Sequence, residues 1–206
     1  PLNPRSVEPD YLIEMAAARE AGFVPILIDH DALDHRTDAA DALRKARIGE
    51  PGCAVYRGWM LRSDAYHALY DALSSRGVHL LTDPPAYDAC HHAPGSYEAL
   101  KVFMPETEWV NEDRLNDHAS IKQALASFGT SPVVLKDWVK SQAAGYWSEA
   151  CFIPDAANFD DALRVIERFI DLQGDSLIGG LVFKRFVPLQ PAGKAADEYR
   201  AFVVDG

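Results

Sequence analysis

The segment Pro132–Ile153, which reads PVVLKDWVKSQAAGYWSEACFI, is the part of this chain on which the prediction of its fold depends most. Its apolar beginning, Val133 to Leu135, follows a proline and predicts a short buried strand. Lys136 stands directly at the end of that strand, and Lys140 follows soon after. Small residues and a glycine then predict a loop, and Ala150 to Ile153 begins a further strand.

The two lysines of this stretch suit the binding of a polyphosphate. Ammonium groups neutralise phosphate oxygens, and a loop of small residues can close over the bound group. The alternative is that Lys136 and Lys140 are ordinary surface lysines, which is the usual role of a lysine at the end of a strand. The stretch alone leaves both interpretations open.

The composition narrows the class of protein. The chain has 206 residues, with 48% hydrophobic and 25% charged residues, as in a soluble globular protein of one large or two small domains. Its net charge of -11 argues against general nucleic-acid binding. The cysteines Cys53, Cys90 and Cys151 form no CxxC pair, so neither a disulfide framework nor a cysteine zinc site is indicated. No signal peptide or membrane-length apolar run is visible, so we expect a cytoplasmic location and no membrane association.

The first half of the chain alternates between strand and helix patterns. Three strands are predicted at Phe23–Ile28, Gly52–Tyr56 and Val78–Leu81. Helices are predicted from Asp10 to about Ala21, over Asp38–Arg47, and from Ser63 to Gly77. This alternation predicts an α/β fold with a parallel, Rossmann-like sheet.

A connecting region is predicted over Thr82–Asn116, where prolines recur. It contains Asp88, Cys90, His91 and His92, which is a conceivable metal cluster. Adjacent histidines in one short loop rarely face the same point, so we predict no metal site here. Capping of a helix by one histidine is an equally good interpretation.

The second half is predicted to hold two capped helices and several strands. Asp117 and Asn158 begin the helices, the second of which is strongly amphipathic. A strand is predicted at Ile178–Phe183, followed by a connector over Lys184–Val187. Glu198–Val204 alternates like a half-buried strand, and the turn dipeptide after it leads us to expect a partner strand beyond Gly206.

Five short segments carry a resemblance to a known family: Val55–Leu61, Val134–Ser141, Glu149–Ile153, Val182–Val187 and Glu198–Val204. In their order they resemble ATP-grasp proteins, and more narrowly the clade of that superfamily marked by one arginine and two lysines. The resemblance implies an N-terminal Rossmann-like domain with its connector over residues 1–116. It further implies a first ATP-grasp lobe over residues 117–187 and the start of a truncated second lobe over residues 188–206.

The resemblance also implies a nucleotide site between two lobes. Lys136 matches the strand lysine that contacts the α- and β-phosphates, and Lys140 and Ser141 map onto the loop that folds over them. Adenine would be held against the connector, which implies contacts from Lys184, Phe186 and Val187. The usual ribose-binding acid is not evident there, since Lys184 and Arg185 stand in its place.

The second lobe would supply the reactive end of the site. Glu198 and Arg200 match its opening strand, where an arginine faces the γ-phosphate or the acyl-phosphate. Arg185 and Arg200 are therefore the candidate catalytic cations. The carboxylates that hold Mg²⁺ in this superfamily would fall after Gly206, so we expect residues 1–206 to bind ATP poorly and to be inactive alone.

The implied function is an ATP-dependent ligase that joins a carboxylate to an amine or thiol through an acyl-phosphate. Such catalysis consists largely of positioning and charge neutralisation. The expected partner is a small-molecule or peptide carboxylate. A small-molecule kinase of the same fold and a non-catalytic nucleotide-binding interaction module remain alternatives. The sequence does not predict an oligomeric state.

Arg57 is the candidate for binding that carboxylate. It follows the predicted strand Gly52–Tyr56, so it lies at the edge of a parallel sheet where α/β proteins bind ligands. A guanidinium group can donate two parallel hydrogen bonds to a carboxylate. The alternative is a local ion pair with Asp29 or Asp31 that only ties two strand ends together.

Overall fold

The chain divides into two units, Pro1–Cys90 and His91–Gly206, in a computed structural model that describes residues 6–141 and 143–189. Each unit has its own cluster of buried apolar side chains. The division places the residues after Cys90 with the second unit. Because the units pack around separate cores, their architectures are described one at a time.

The first unit packs helices around a small parallel sheet. Its helices are α1 (Leu12–Glu20), α2 (His30–Arg36), α3 (Ala39–Ala42), α4 (Ser63–Ser74) and all but the last residue of α5 (Pro84–His91), and its strands are β1 (Gly52–Ala54) and β2 (Val78–Leu80). The strands pair in parallel with Gly52 opposite Val78, which confirms the predicted direction of pairing. Tyr66 and Leu69 of α4 are fully buried in the core of this unit.

Two predictions for the first unit are wrong. Residues 23–28 form no strand, so the described sheet has two strands rather than three. An apolar run becomes a strand only where a neighbouring strand takes its hydrogen bonds, and residues 23–28 have no such neighbour among the described strands. Phe23 and Val24 accordingly remain 66% and 77% exposed. The second predicted helix shrinks to α3, although Asp38 caps it by accepting a hydrogen bond from the amide of Asp41. A full Rossmann-like sheet therefore stays a prediction.

The predicted connecting region over Thr82–Asn116 is largely regular structure. It contains α5, α6 (Ala93–Leu100) and strand β3 (Thr107–Asn111). Some of the prolines that suggested loops begin helices instead, with Pro84 first in α5 and Pro94 second in α6, whereas Pro105 lies outside any helix or strand. Proline is well suited to those positions because the first amides of a helix have no partner within it.

The second unit is built on an antiparallel sheet of four strands in the order β3-β6-β4-β5. Besides α6 and β3 it contains α7 (His118–Ala126), β4 (Val133–Asp137), α8 (Ala143–Tyr146), a π-helical turn (Trp147–Cys151), β5 (Phe152–Ile153), α9 (Phe159–Gln173) and β6 (Gly180–Arg185). Short 3-10 turns lie at Pro9–Tyr11, Lys101–Phe103, Glu112–Arg114 and Gly174–Ser176. Asp117 and Asn158 cap α7 and α9 as predicted. In the described ranges 6–141 and 143–189, no helix combines the length and the apolar character that crossing a membrane requires.

The sheet of the second unit has two distinct faces. We call one the helix face, because its side chains pack against α7 and α9 in one buried cluster; they are Val110, Val133, Leu135, Ile153, Leu181 and Phe183. Successive strand residues point to opposite sides, and residues paired across strands point to the same side. The other face therefore carries Val134, Lys136, Phe152, Val182 and Lys184, and we call it the lysine face.

The predicted boundary between strand and connector is wrong by two residues. Lys184 and Arg185 are the last residues of β6, where they pair with Val134 and Val133 of β4. The strand continues because β4 offers a partner for each residue up to that point. Consecutive strand residues alternate between faces, so Lys184 lies on the lysine face and Arg185 on the helix face.

Candidate functional site

The most distinctive chemical feature of the second unit is a pair of lysines on one face of the sheet. Lys136 is on β4 and lies opposite Val182, while Lys184 is on β6 and lies opposite Val134. This register makes the two lysines diagonal neighbours, a spacing of about 7–8 Å between backbones that long side chains span. Both are partly buried. The β4–β6 pairing therefore concentrates positive charge in a small area.

The electrostatics of this pair favour an anion. Burial holds the pKa of Lys136 below its usual 10.5, and the positive charge of Lys184 lowers it further. Burial also lowers the pKa of Lys184. Neither ammonium group forms an ion pair with a carboxylate of the described residues. Because a partly desolvated cation without a counter-ion is costly, an anion bound here gains both charge pairing and relief of that cost.

A tight turn after β4 orients Lys136. The Nζ atom of Lys136 donates a hydrogen bond to the carbonyl oxygen of Val139 at 3.0 Å. The turn is closed by a hydrogen bond from the amide of Asp137 to the carbonyl of Lys140, at 2.9 Å. The Oδ1 atom of Asp137, which is fully buried, accepts hydrogen bonds from the amides of Val139 and Lys140. Lys140 and Ser141 follow at the exposed end of the turn.

An aromatic cluster lies beside Lys184. Phe152 pairs with Val134, which also pairs with Lys184, so the three residues form one row across the sheet. The ring of Phe152 stacks on Trp147 at 5.5 Å and meets Phe186 edge-on at 5.2 Å. Trp147 keeps 40% of its surface exposed. The cluster gives the lysine face an apolar, partly open area in the same row as Lys184, with Val134 between Lys184 and Phe152.

Comparison with known families identifies the part of the chain that contains this arrangement. Residues 127–206 match the sequence profile of an ATP-grasp domain, the third family of the clade named for one arginine and two lysines. This segment belongs to the ATP-grasp superfamily. The match includes both lysines, the turn after β4 and the aromatic cluster, and it covers less than half of the chain. No curated protein matches the chain.

The described part of the ATP-grasp segment has groups suited to the phosphates and the base of a nucleotide, but it offers no set of ligands for magnesium. The lysine pair fits phosphate oxygens, and the aromatic cluster fits a purine ring. Magnesium needs several oxygen ligands around one point. Over residues 6–141 and 143–189, no three side chains of His, Cys, Asp or Glu come together in that way. We therefore assign no magnesium ligand.

The structure does not bring Arg185 together with the lysine pair. Its guanidinium group makes an ion pair with Glu106, donates to the hydroxyl of Ser131, and lies 5.8 Å from the centre of the Phe128 ring. These contacts lie toward the helix face of the sheet. They are the contacts of a side chain that ties the end of β6 to its neighbours. The catalytic role of Arg185 stays a prediction.

Of the remaining residues predicted to contact the nucleotide, two lie next to β6 and two lie outside the described residues. Phe186 continues the β6–β4 ladder through a hydrogen bond from its amide to the carbonyl of Pro132 at 2.9 Å, and its ring joins the aromatic cluster. Val187 follows and is 44% exposed. Glu198 and Arg200 lie outside the described residues.

Arg57 lies in the first unit, outside the ATP-grasp segment. Its guanidinium group binds the carboxylate of Glu14 on α1 through two hydrogen bonds, rather than Asp29 or Asp31 as the alternative supposed. The contact raises the pKa of Arg57 and lowers the pKa of Glu14. Both side chains remain largely exposed, so the pair contributes only about 0.2–1 kcal/mol to stability.

The cluster considered for a metal has a different arrangement. The Nε2 atom of His67 lies 2.9 Å from a carboxylate oxygen of Asp88, and the His92 ring packs 5.5 Å from Trp138. Cys90 is exposed. Each of these contacts is a local packing or hydrogen-bonding arrangement, as expected for residues on two successive helices.

A shallow depression between the π-helical turn and α9 is a second candidate site. Its charged residues already neutralise one another, because Arg164 pairs with Asp161 and Arg168 lies 3.9 Å from Glu149. Neither Lys136 nor Lys184 lines it. The lysine face is therefore the stronger candidate.

Two parts of the site are not predicted from the sequence. Asp137 is not assigned to the site from the sequence, because an acid directly after a lysine is typical of an exposed ion pair. In the structure, the alternation of side chains along β4 directs Asp137 toward the helix face. Trp147 and Phe152 are not assigned to the site because their position beside Lys184 depends on the pairing of β5 with β4. The alternating pattern of β4 is the signal that could have indicated the burial of Asp137.

Proposed function

We propose that the ATP-grasp segment binds ATP on the lysine face, and that the protein uses ATP to join a carboxylate to an amine or thiol. The observation that carries this proposal is the position of Lys136 diagonally next to Lys184 on one face of the sheet, on the neighbouring strands β4 and β6. Each is partly buried, and neither has an ion-pair partner among the described carboxylates. The family match to an ATP-grasp domain supports the same chemistry.

In this proposal the lysine pair holds the phosphates and the aromatic cluster holds the base. Ammonium groups offer point charges that adapt to several phosphate oxygens. Purine rings stack favourably on exposed aromatic side chains, and Trp147 presents such a ring beside Phe152 and Phe186. Val187, directly after the cluster, would offer main-chain groups to the edge of the base in this proposal.

The proposed reaction moves one phosphoryl group. A carboxylate oxygen bonds to the γ-phosphorus as the bond from that phosphorus to ADP breaks. The amine or thiol then attacks the acyl carbon, loses its proton to solvent or a base, and releases inorganic phosphate. The lysines of the sheet would neutralise charge on the phosphates throughout, which is the main contribution an enzyme makes to phosphoryl transfer.

The test uses the natural protein with ATP, magnesium and a panel of carboxylates and amines. Formation of ADP and phosphate only when a carboxylate and a nucleophile are both present would support the ligase. A phosphorylated product formed without a nucleophile would show a kinase. Binding of ATP without any turnover would indicate an interaction module, and absence of ATP binding would refute the whole proposal.

The pKa of Lys136 leads to a prediction about pH. A bound phosphate favours the charged lysine, whereas burial and Lys184 hold its free pKa below 10.5. Binding must therefore take up a proton once the pH exceeds that lowered pKa. Above the lowered pKa of Lys136, which lies below 10.5, we expect the affinity for ATP to fall by up to about tenfold per pH unit.

This pH dependence is measured by calorimetric titration in buffers with different enthalpies of ionisation, which counts the protons taken up. Lys136→Arg serves as the control, because arginine stays protonated over this range, so that the pH dependence left in this variant comes from Lys184, whose pKa burial also lowers. An affinity that stays constant up to pH 10.5 would contradict the prediction.

A separate proposal concerns Arg57 as the anchor of the substrate carboxylate. Glu14 already occupies its guanidinium fork, so a substrate carboxylate must displace Glu14. We expect Arg57→Lys to raise the KM for the carboxylate and to leave the KM for ATP nearly unchanged. We expect Glu14→Gln to lower the KM for the carboxylate by a few-fold. Steady-state kinetics on the natural protein decides. Unchanged KM values in both variants would show that Arg57 does not bind the carboxylate and forms only a surface ion pair with Glu14.

A further inference from the structure

Asp137 stands out as a buried carboxylate without a cationic partner in the described chain. It lies on β4 directly after Lys136, with its side chain on the helix face and no exposed surface. Its Oδ2 atom lies 3.5 Å from the Nε2 atom of Gln173 on α9. Burying a carboxylate costs free energy unless its charge or its hydrogen bonds serve the structure.

The hydrogen bonds of Asp137 point to the turn after β4. Its Oδ1 atom accepts from the amide of Val139 at 2.7 Å and from the amide of Lys140. The carbonyl of Val139, in turn, accepts the hydrogen bond from Nζ of Lys136. The carboxylate thus fixes the group that holds the lysine ammonium, and it fixes the backbone of the second lysine of the stretch.

The rest of the turn is also fixed. The amide of Trp138 donates to the carbonyl of Ile178 at 3.2 Å, and its carbonyl accepts from the amide of Ala93 at 2.8 Å. The ring of Trp138 covers Gly179 so closely that a Cβ there would overlap it. A turn held at each residue can set the direction of a side chain that depends on it.

We propose that Asp137 is a positioning residue for the phosphate-binding lysines. Its buried carboxylate holds the turn 138–140, and the turn directs the ammonium group of Lys136 and the backbone of Lys140. The negative charge of Asp137 also raises the pKa of Lys136, whereas burial and the positive charge of Lys184 lower it. This inference rests on the proposed function of the lysine face.

Two substitutions separate the charge of Asp137 from its geometry. Asp137→Asn removes the charge but keeps an oxygen that accepts the two backbone hydrogen bonds. Asp137→Ala removes both. The matched control is Asp155→Ala, because Asp155 also accepts a backbone amide, that of Ala157 at 2.9 Å, in a turn that contains no lysine.

The first measurement is lysine NMR on the natural protein with isotope-labelled lysines, where Lys136 is assigned by the loss of its signal in Lys136→Arg. We expect Asp137→Asn to lower the pKa of Lys136 further. We expect Asp137→Ala to give a signal and pKa nearer those of an exposed lysine, because the turn opens. Asp155→Ala leaves the signal unchanged.

The second measurement is titration with ATP at neutral pH, followed by the same signals. Asp137→Asn is expected to bind within about threefold of the wild type, and Asp137→Ala at least about tenfold more weakly, since a charge-assisted contact is misplaced. Equal losses in both variants, or a Lys136 signal that is the same in all three proteins, would overturn the positioning role.

Two further outcomes are also decisive. If the alanine variant does not fold, Asp137→Glu decides, because it keeps the charge but moves the carboxylate away from the amides of Val139 and Lys140. A Lys136 signal and an ATP affinity equal to those of the wild type in that variant would refute the proposal. If the wild type does not bind ATP, the proposed function fails. The NMR comparison then still shows whether Asp137 positions Lys136.

Discussion

Lys136→Met is expected to weaken ATP binding by roughly ten- to hundredfold, which is the largest functional effect of a single substitution that we predict. A hydrogen bond to a charged group contributes about 1.5–3 kcal/mol, and each 1.4 kcal/mol changes affinity about tenfold. The free energy of unfolding should change little, because methionine fills similar space and removes a partly buried charge. NMR titration with ATP and urea denaturation measure the two quantities.

The matched control for this substitution is Lys122→Met. Lys122 is an exposed lysine on α7, with its Nζ atom 5.2 Å from the centre of the Phe159 ring. It lies on a helix that packs against the helix face. Its substitution should therefore leave ATP affinity unchanged. Equal affinities for Lys136→Met and the wild type would remove Lys136 from the binding site.

Gly180→Ala is expected to destabilise the second unit by about 3 kcal/mol or more, the largest effect on stability that we predict. Gly180 has φ +138°, and a Cβ there would overlap the carbonyl oxygen of Val110 on β3. The obstacle is backbone rather than a flexible side chain, so β3 and β6 would have to separate at this point.

Gly129→Ala provides the comparison for Gly180→Ala. Gly129 also has a positive φ, +58°, but a Cβ there would meet no atom within 4 Å. This substitution should cost only the backbone strain, about 1 kcal/mol. Urea denaturation followed by circular dichroism gives both free energies. Equal destabilisation by the two substitutions would show that the contact with β3 is not as tight as described.

Local signals in the sequence predict the elements that depend on local chemistry. Asp117 and Asn158 are predicted as helix caps, and both accept amide hydrogen bonds at the start of their helices. The apolar run before Lys136 is predicted as a strand, and β4 confirms it. Caps and short apolar runs act within a few residues, so the sequence carries them directly.

Features that depend on distant pairing are not predicted correctly. Strand β3 falls in the predicted connecting region, because its hydrogen bonds come from β6, where Thr107 meets Lys184 far along the chain. Phe23–Ile28 has the composition of a strand, yet no described strand pairs with it. The position of Lys184 beside Lys136 follows from the β4–β6 register, which no local pattern specifies.

The strand order has a consequence for the order in which the protein can assemble during synthesis. Strand β6 lies between β3 and β4 in the sheet but is the last of the four to be made. Until it emerges from the ribosome, β3 has no neighbour among the described strands, and β4 pairs only with the two residues of β5. Nascent chains that stop short of Gly180 should therefore expose unpaired strand edges and depend on chaperones. The sheet then closes late, in one step that joins residues far apart in the chain, and such steps are slow.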